Sequence, residues 1–252
     1  MGATMRLYVD TPLAADTELT LPPGAARHAQ VRRVQPGDML RLFDGSGSDW
    51  PATVLAMGRS DVRVRVGVPV PVDTELPMAV TLAVGMPANE RMDALVEKAT
   101  ELGVARIQPL MTARSVLRLA GERAERKQAH WQGIAAAACE QCGRARVPVV
   151  SPVRELATWL LQAQAEADGA RRVVLSLHAD AQPLAALPWA DAGRLVTLSG
   201  PEGGLAPEEE AAARAAGFTP AALGPRVLRA DTAPLAVLAW LGLACAGRPA
   251  SG

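Results

Sequence analysis

Two rhythms of apolar and polar positions divide the chain. In the first 70 or so residues, short β-leaning runs dominate: "MRLYV", "DMLRLF", "ATVLAM" and "DVRVRVGV", with a tight "DGSG" turn at Asp44 to Gly47. Val62, Val64 and Val66 alternate with Arg63 and Arg65, which predicts a strand with valines on one face and arginines on the other. A Pro-rich stretch, "GVPVPVDTELP" from Gly67 to Pro77, reads as a linker. The expected domains are residues 1–73, small and β-rich, and residues 74–252.

After the linker, strand-like runs alternate with helical ones. "AVTLAVGM" precedes a helix over Asn89 to Leu102, "ARIQPL" one over Glu122 to Cys142, and "VPVV" one over Glu155 to Ala165. "RRVVLSL" and "GRLVTLSG" follow, then helices over Glu208 to Ala216 and from about Thr232. That alternation predicts an α/β domain, a parallel sheet with helices on both faces. In the first of these helices Met92, Leu95, Val96, Ala99 and Leu102 form one apolar stripe, the face to be buried.

With 252 residues, 49% of them hydrophobic, the chain can bury a sizeable core, so disorder is excluded. Lysine plus arginine and aspartate plus glutamate each number 26, for a formal net charge of zero. No global field holds polyanions, and a nucleic acid partner must meet a local patch. Lys98 and Lys127 are the only lysines; arginine carries almost all the positive charge, which suits bidentate phosphate contact. Cys139, Cys142 and Cys245 are too few for a disulfide framework, and "CEQC" lacks the second pair that zinc needs, so no metal is expected. No charged-then-apolar signal segment opens the sequence, and the longest apolar run, Ala233 to Gly247, is short for a bilayer; a cytoplasmic protein without a membrane partner is expected.

Ligands of open α/β sheets bind at the carboxyl ends of strands, which directs attention to two loops. The first, "LSGPEGGLAPEEE" from Leu198 to Glu210, is a strand, a glycine elbow and a helix start with three acids in its first turn. A phosphate there would meet Glu202 and Glu208 to Glu210, and the elbow has neither the lysine of a P-loop nor a dinucleotide fingerprint. S-adenosylmethionine suits it better, with an adenosine for backbone groups to read, no phosphate, and a sulfonium cation that tolerates carboxylates. The plain alternative is a strand-to-helix turn whose acids complement the dipole. The second loop, "LGPRVLRADTAPLAVLAWLG" from Leu223 to Gly242, carries Arg226 and Arg229 ahead of a helix apolar all round, which must be buried or lie in a subunit interface.

Together, "LVTLSGPEGGLAPEE" and "LGPRVLRADTA" resemble the paired carboxy-terminal signature of the SPOUT class of RNA methyltransferases. With "VEKATELGVARIQPLMTARSV" at Val96 to Val116, "EQCGR" at Glu140 to Arg144 and "RHAQVRRVQPGDMLRLFDGSG" in the first domain, the chain resembles the 16S ribosomal RNA uridine N3-methyltransferase family over essentially its whole length. The resemblance implies an amino-terminal PUA-like β-barrel that binds RNA and a carboxy-terminal SPOUT α/β domain with a trefoil knot. It also implies a homodimer, and methyl transfer from S-adenosylmethionine to N3 of a uridine in 16S ribosomal RNA of the small ribosomal subunit. Carried over position by position, Leu198, Gly200, Gly203, Leu223, Gly224 and Leu228 ring the adenosine, with Thr232 kept from the signature. Leu177 and His178 complete the ring, although His178 reads equally well as a surface or core histidine.

Uridine N3 carries a proton at neutral pH, so the reaction needs a proton acceptor and a cation facing the flanking carbonyl oxygens. Arg144 and Arg229 are the candidate cations. Glu202 is the candidate acceptor; the alternatives are that it holds an arginine or a loop N–H and that solvent takes the proton. Arg6, Arg27, Arg32 and Arg33 in the first domain, with Arg114 and Arg118 in the second, are the candidate phosphate contacts, a solvated arginine face being the alternative. The competing function is a noncatalytic RNA-binding or ribosome-assembly factor on the same fold.

Overall fold

In a computed structural model, residues 4–165, 169–189 and 193–245 are described. The chain forms two compact units: residues 1–75 with 136–147, and residues 76–135 with 148–252.

The first unit contains β1 (Arg6–Tyr8), β2 (Glu18–Thr20), α1 (Pro23–Val31), β3 (Met39–Phe43), β4 (Ser48–Met57), β5 (Val62–Val66) and β6 (Val70–Pro71). The strand order is β1-β3-β4-β5-β2, with β6 on β4; β1 and β3 run parallel and the other pairs antiparallel. On β5 the valines are fully buried, while Arg63 and Arg65 point outward to Glu18 across the β2 pairing, Arg65 at 2.9 Å. Pro22 and Pro23 start α1 with a preset φ, and Ala25, Ala26 and Ala29 let it lie close on Leu7, Leu40 and Leu42. This helix was not foreseen among the β-leaning runs.

The second unit is an α/β layer. Its elements are β7 (Ala79–Gly85), α2 (Asn89–Glu101), β8 (Arg106–Met111), α3 (Gly121–Cys142, whose last turns belong to the first unit), β9 (Val149–Val150) and β10 (Arg154–Glu155). They continue with α4 (Leu156–Ala165), β11 (Arg171–Leu175), β12 (Gln182–Pro183), β13 (Arg194–Ser199), α5 (Pro207–Ala215), β14 (Thr219–Ala222) and α6 (Thr232–Cys245). The strand order is β10-β8-β7-β13-β11-β14-β12, with β9 on β8 and every pair parallel.

The stripe on α2 is buried as its period requires: Met92, Leu95, Val96 and Ala99 are inaccessible. Behind it Asp93 accepts hydrogen bonds from the buried Trp131 indole, 2.9 Å, and pairs with His130 of α3. On one face of the sheet Ala83, Leu110, Val174 and Leu198 pack with Leu156 and Leu160 of α4, Ala213 of α5 and Ala216 just after it. On α6, Val237, Leu238 and Leu241 are buried while Leu243 is exposed, so this helix keeps one apolar side in solvent. Among the described residues no helix is long and apolar enough to cross a membrane, and no three His, Cys, Asp or Glu side chains gather as metal ligands.

Candidate functional site

The elbow after β13 folds on itself so tightly that only glycine fits at its start. A Cβ on Gly200 would stand 2.5 Å from the backbone of both Gly204 and Leu205. A Cβ on Gly85, at the end of β7, would stand 2.6 Å from Pro201. The turn closes through the Gly204 N–H donating to the Pro201 carbonyl, 2.8 Å, with Gly204 in the left-handed region that glycine tolerates.

The acids around the elbow mostly serve it internally. Glu209 accepts from the N–H of Ala206, 2.9 Å, which caps α5, and from the N–H of Ala113, 2.7 Å, which ties down the loop after β8. Glu202 accepts from the N–H of Ala88, 3.1 Å, and from Arg91, 3.3 Å. Arg114 donates to the carbonyls of Gly203, 2.7 Å, and Leu205, 3.2 Å. Glu210 accepts from the Ser176 hydroxyl, 2.7 Å, and from Arg214, 2.9 Å, and faces His178 at 3.5 Å. The Arg214 guanidinium also clasps Asp180, whose carboxyl this hydrogen bond holds below the usual carboxylate range.

Between this elbow, the end of β11 and the loop after β14 lies a cleft of about 550 Å³ counted out to its open mouth. Leu177, Leu223 and Leu228 give it apolar walls, Gly200 and Gly204 a bare backbone edge, and Arg226 its one charged group among the described lining residues. Ser199 also lines it, and its buried hydroxyl oxygen has no hydrogen-bond partner among the described residues. A buried hydroxyl without a partner is costly, so this is a vacant valence for a guest.

Of the residues expected around a cofactor, Leu177, Gly200, Leu223 and Leu228 line this cleft. His178, Leu198, Gly203, Gly224 and Thr232 do not; Leu198 is packed in the core, and Gly203 faces Arg114. Ser176, Ser199 and Arg226 are lining residues that no motif singled out for that role, and Gly85 is a contact that only the tertiary approach of two strands reveals.

The expected cations separate sharply. Arg229 is exposed, and its side chain makes no hydrogen bond or ion pair among the described residues. The Arg144 side chain is 4% exposed and pairs with Glu75 inside the first unit, because a guanidinium out of water needs a carboxylate. Arg6 is likewise drawn into the first unit. At 10% exposure it pairs with Asp49 at 2.7 Å, donates to the carbonyls of Cys139 and Arg144, and stacks over Phe43. Arg27 in the middle of α1, and Arg32 and Arg33 in the turn beyond it, are exposed, Arg33 with a φ of 57°. Arg118 is exposed and donates to the Ala113 carbonyl.

Residues 74–242 match the RNA methyltransferase domain family and residues 21–67 the RNA methyltransferase PUA domain family. The chain belongs to the RNA methyltransferase family. This RNA methyltransferase is 36% identical over 242 residues to the ribosomal RNA small subunit methyltransferase E of Mycobacterium bovis, covering 95% of this chain and 91% of that one. To the Bacillus subtilis protein of the same name it is 31% identical, covering 82% of each. Among solved structures it is similar to a ribosomal RNA small subunit methyltransferase E from Neisseria gonorrhoeae bound to S-adenosylmethionine, with a TM-score of 0.88, 33% identity, and 96% and 98% of the two chains covered.

Proposed function

We propose that the cleft at the ends of β11, β13 and β14 holds S-adenosylmethionine, and that this protein methylates N3 of a uridine in 16S ribosomal RNA, in the cytoplasm. The observation that carries the reading is the cleft itself, a bare glycine edge with apolar walls, one arginine and the vacant hydroxyl of Ser199. The residues present fit such a guest. Leu177, Leu223 and Leu228 offer flat apolar contact to an adenine, Ser199 a polar partner, and Arg226 a counter-ion for an amino-acid carboxylate. Bound there, the cofactor supplies a methyl group on a sulfonium sulfur.

The chain's own task is to bring uridine N3 to that methyl group and to stabilise the charge left when the N3 proton departs. Arg229, exposed and uncommitted, is the cation assigned to the flanking uracil oxygens. Glu202 is assigned to anchoring: its Oε1 accepts two hydrogen bonds that fix the start of α2 to the elbow. The proton passes to solvent at the open mouth.

Residues 1–73 act as the RNA-holding domain, through Arg27, Arg32 and Arg33, and residues 74–252 as the methyltransferase domain, with the trefoil knot part of the same proposal. Apolar surface at Leu177, Val227 and Leu243 supports a homodimer. Mass spectrometry of ribosomal RNA from a strain lacking the gene tests the reading. Loss of one methylated uridine, restored by complementation, is expected; an unchanged methylation pattern overturns it. RNA binding without any heat from S-adenosylmethionine would favour the noncatalytic factor.

A further inference from the structure

A parallel sheet covered by helices on both faces should present apolar residues throughout. One end of this sheet does not. Thr81 of β7 is in register with Arg106 of β8 and with Val196 of β13, and Val196 with Arg172 of β11. Parallel partners point to the same face, so these four side chains form a row across four adjacent strands. Arg194, two residues before Val196, and Gln108, two residues after Arg106, lie on that same face. Toward the carboxyl ends of the strands the face becomes the apolar seat of α4 and α5, with Ala83, Leu110, Val174 and Leu198.

The row forms the floor of a cleft of about 1240 Å³, open mouth included, closed on one side by Arg154 of β10 and by Trp159 and Gln162 of α4. Four arginines line it, and no carboxylate does so among the described residues. Arg106 donates to the Ser151 hydroxyl, 3.1 Å, and Arg154 to the Gln162 side-chain oxygen, both neutral partners. Arg172 and Arg194 make further contacts of their own. The cleft lies at the amino-terminal ends of the strands, whereas the proposed cofactor cleft is built from their carboxyl ends.

We propose that this arginine-lined cleft binds consecutive phosphates of an RNA backbone. Guanidinium forks match phosphate oxygens, and the side chains of four arginines line this cleft. Arg106 and Arg172 stand three strand spacings apart, roughly 14 Å, too far to share one phosphate and suited to a run of them. Trp159 adds a ring face for a neighbouring base. The proposal rests on the RNA reading above and adds a second place where the substrate is held, remote from the methyl donor.

The test uses the full chain and a short fluorescein-labelled single-stranded RNA, with anisotropy read between about 50 and 200 mM salt. Each lost phosphate contact lowers the slope of log K against log salt by about 0.7. The double variant Arg106→Gln/Arg194→Gln should therefore lose about 1.4 of slope while its heat of S-adenosylmethionine binding stays that of the wild type. Arg106→Lys/Arg194→Lys should restore the slope. A wild-type slope in the glutamine variant overturns the proposal. So does a variant that keeps its RNA affinity but no longer binds inorganic tripolyphosphate, which would assign the cleft to a free polyphosphate. If the glutamine pair fails to fold, Arg154→Gln carries the decision: a slope lowered by about 0.7 supports the proposal and an unchanged slope overturns it. Failure of the methyltransferase reading would show separately, as wild-type protein that draws no heat from S-adenosylmethionine.

Discussion

Replacing Gly200 by alanine tests how far the elbow depends on a missing side chain. The added Cβ meets the Gly204 carbonyl carbon and the Leu205 nitrogen, both at 2.5 Å. Relief to ordinary van der Waals separation takes roughly 1 Å of backbone movement. Both neighbours are main chain, so no side chain can swing aside, and the movement falls on the edge that borders the cleft. Overpacking of this kind costs about 1–3 kcal/mol. If that cost is met by displacing the elbow from its ligand, S-adenosylmethionine binds about 5- to 150-fold more weakly. Two controls fix the interpretation. In Gly203→Ala the new Cβ sits 3.2 Å from the Arg114 side chain, which can yield, so affinity changes by less than in Gly200→Ala. In Gly133→Ala nothing lies within 4 Å, and the α3 position should gain about 1 kcal/mol of helix stability. Isothermal titration calorimetry with thermal melting reads all three variants. A Gly200→Ala protein with wild-type affinity and melting temperature would refute the reasoning.

The two free-standing arginines should separate binding from turnover. Arg226→Ala should weaken S-adenosylmethionine binding about 10-fold or more, as loss of a charged hydrogen bond does, whereas Arg229→Ala should bind it within twofold of wild type and lose about 100-fold in kcat, measured by tritium transfer to ribosomal RNA. Ser199→Ala removes a hydroxyl that has no partner among the described residues, so folding stability should hold or rise while cofactor affinity falls about 2- to 10-fold, read by the same calorimetry. In the first unit, the hydrogen bond from the Cys139 thiol holds Cys142 below the usual thiol range and pushes Cys139 above it. Iodoacetamide should therefore label Cys142 at mildly acidic pH. The reaction should slow as the pH falls through the lowered value, and Cys139→Ala should return Cys142 to ordinary thiol behaviour, measured by peptide mass spectrometry.

The layers of the fold were legible because they follow from local period. The alternation at Val62 to Val66 and the stripe from Met92 to Ala99 each name a buried face, and burial took both. The helix at Pro23–Val31 is not legible in the sequence because its alanines carry little apolar signal; they matter only once a sheet lies against them. The two loops that border the proposed cofactor cleft could be located from topology, since strand ends and glycines are written in sequence. What individual side chains do there could not, because it depends on partners far away in the chain. Arg6 and Arg144 are spent on Asp49 and Glu75, 43 and 69 positions distant. The elbow's acids looked like a barrier to phosphate. In the fold Glu202 and Glu210 are each paired with an arginine, so their repulsion is weaker than the sequence alone implies. The row of arginines at the other end of the sheet needed strand register, which a single sequence does not state.

The most direct measurement is a crystal structure of the full chain grown with S-adenosylmethionine. Density for the methyl donor bounded by Leu177, Gly200, Leu223 and Leu228, with its carboxylate on Arg226 and a polar atom on the Ser199 hydroxyl, is the expected result. Density elsewhere, or a saturating concentration of the donor that leaves this cleft empty, would contradict it.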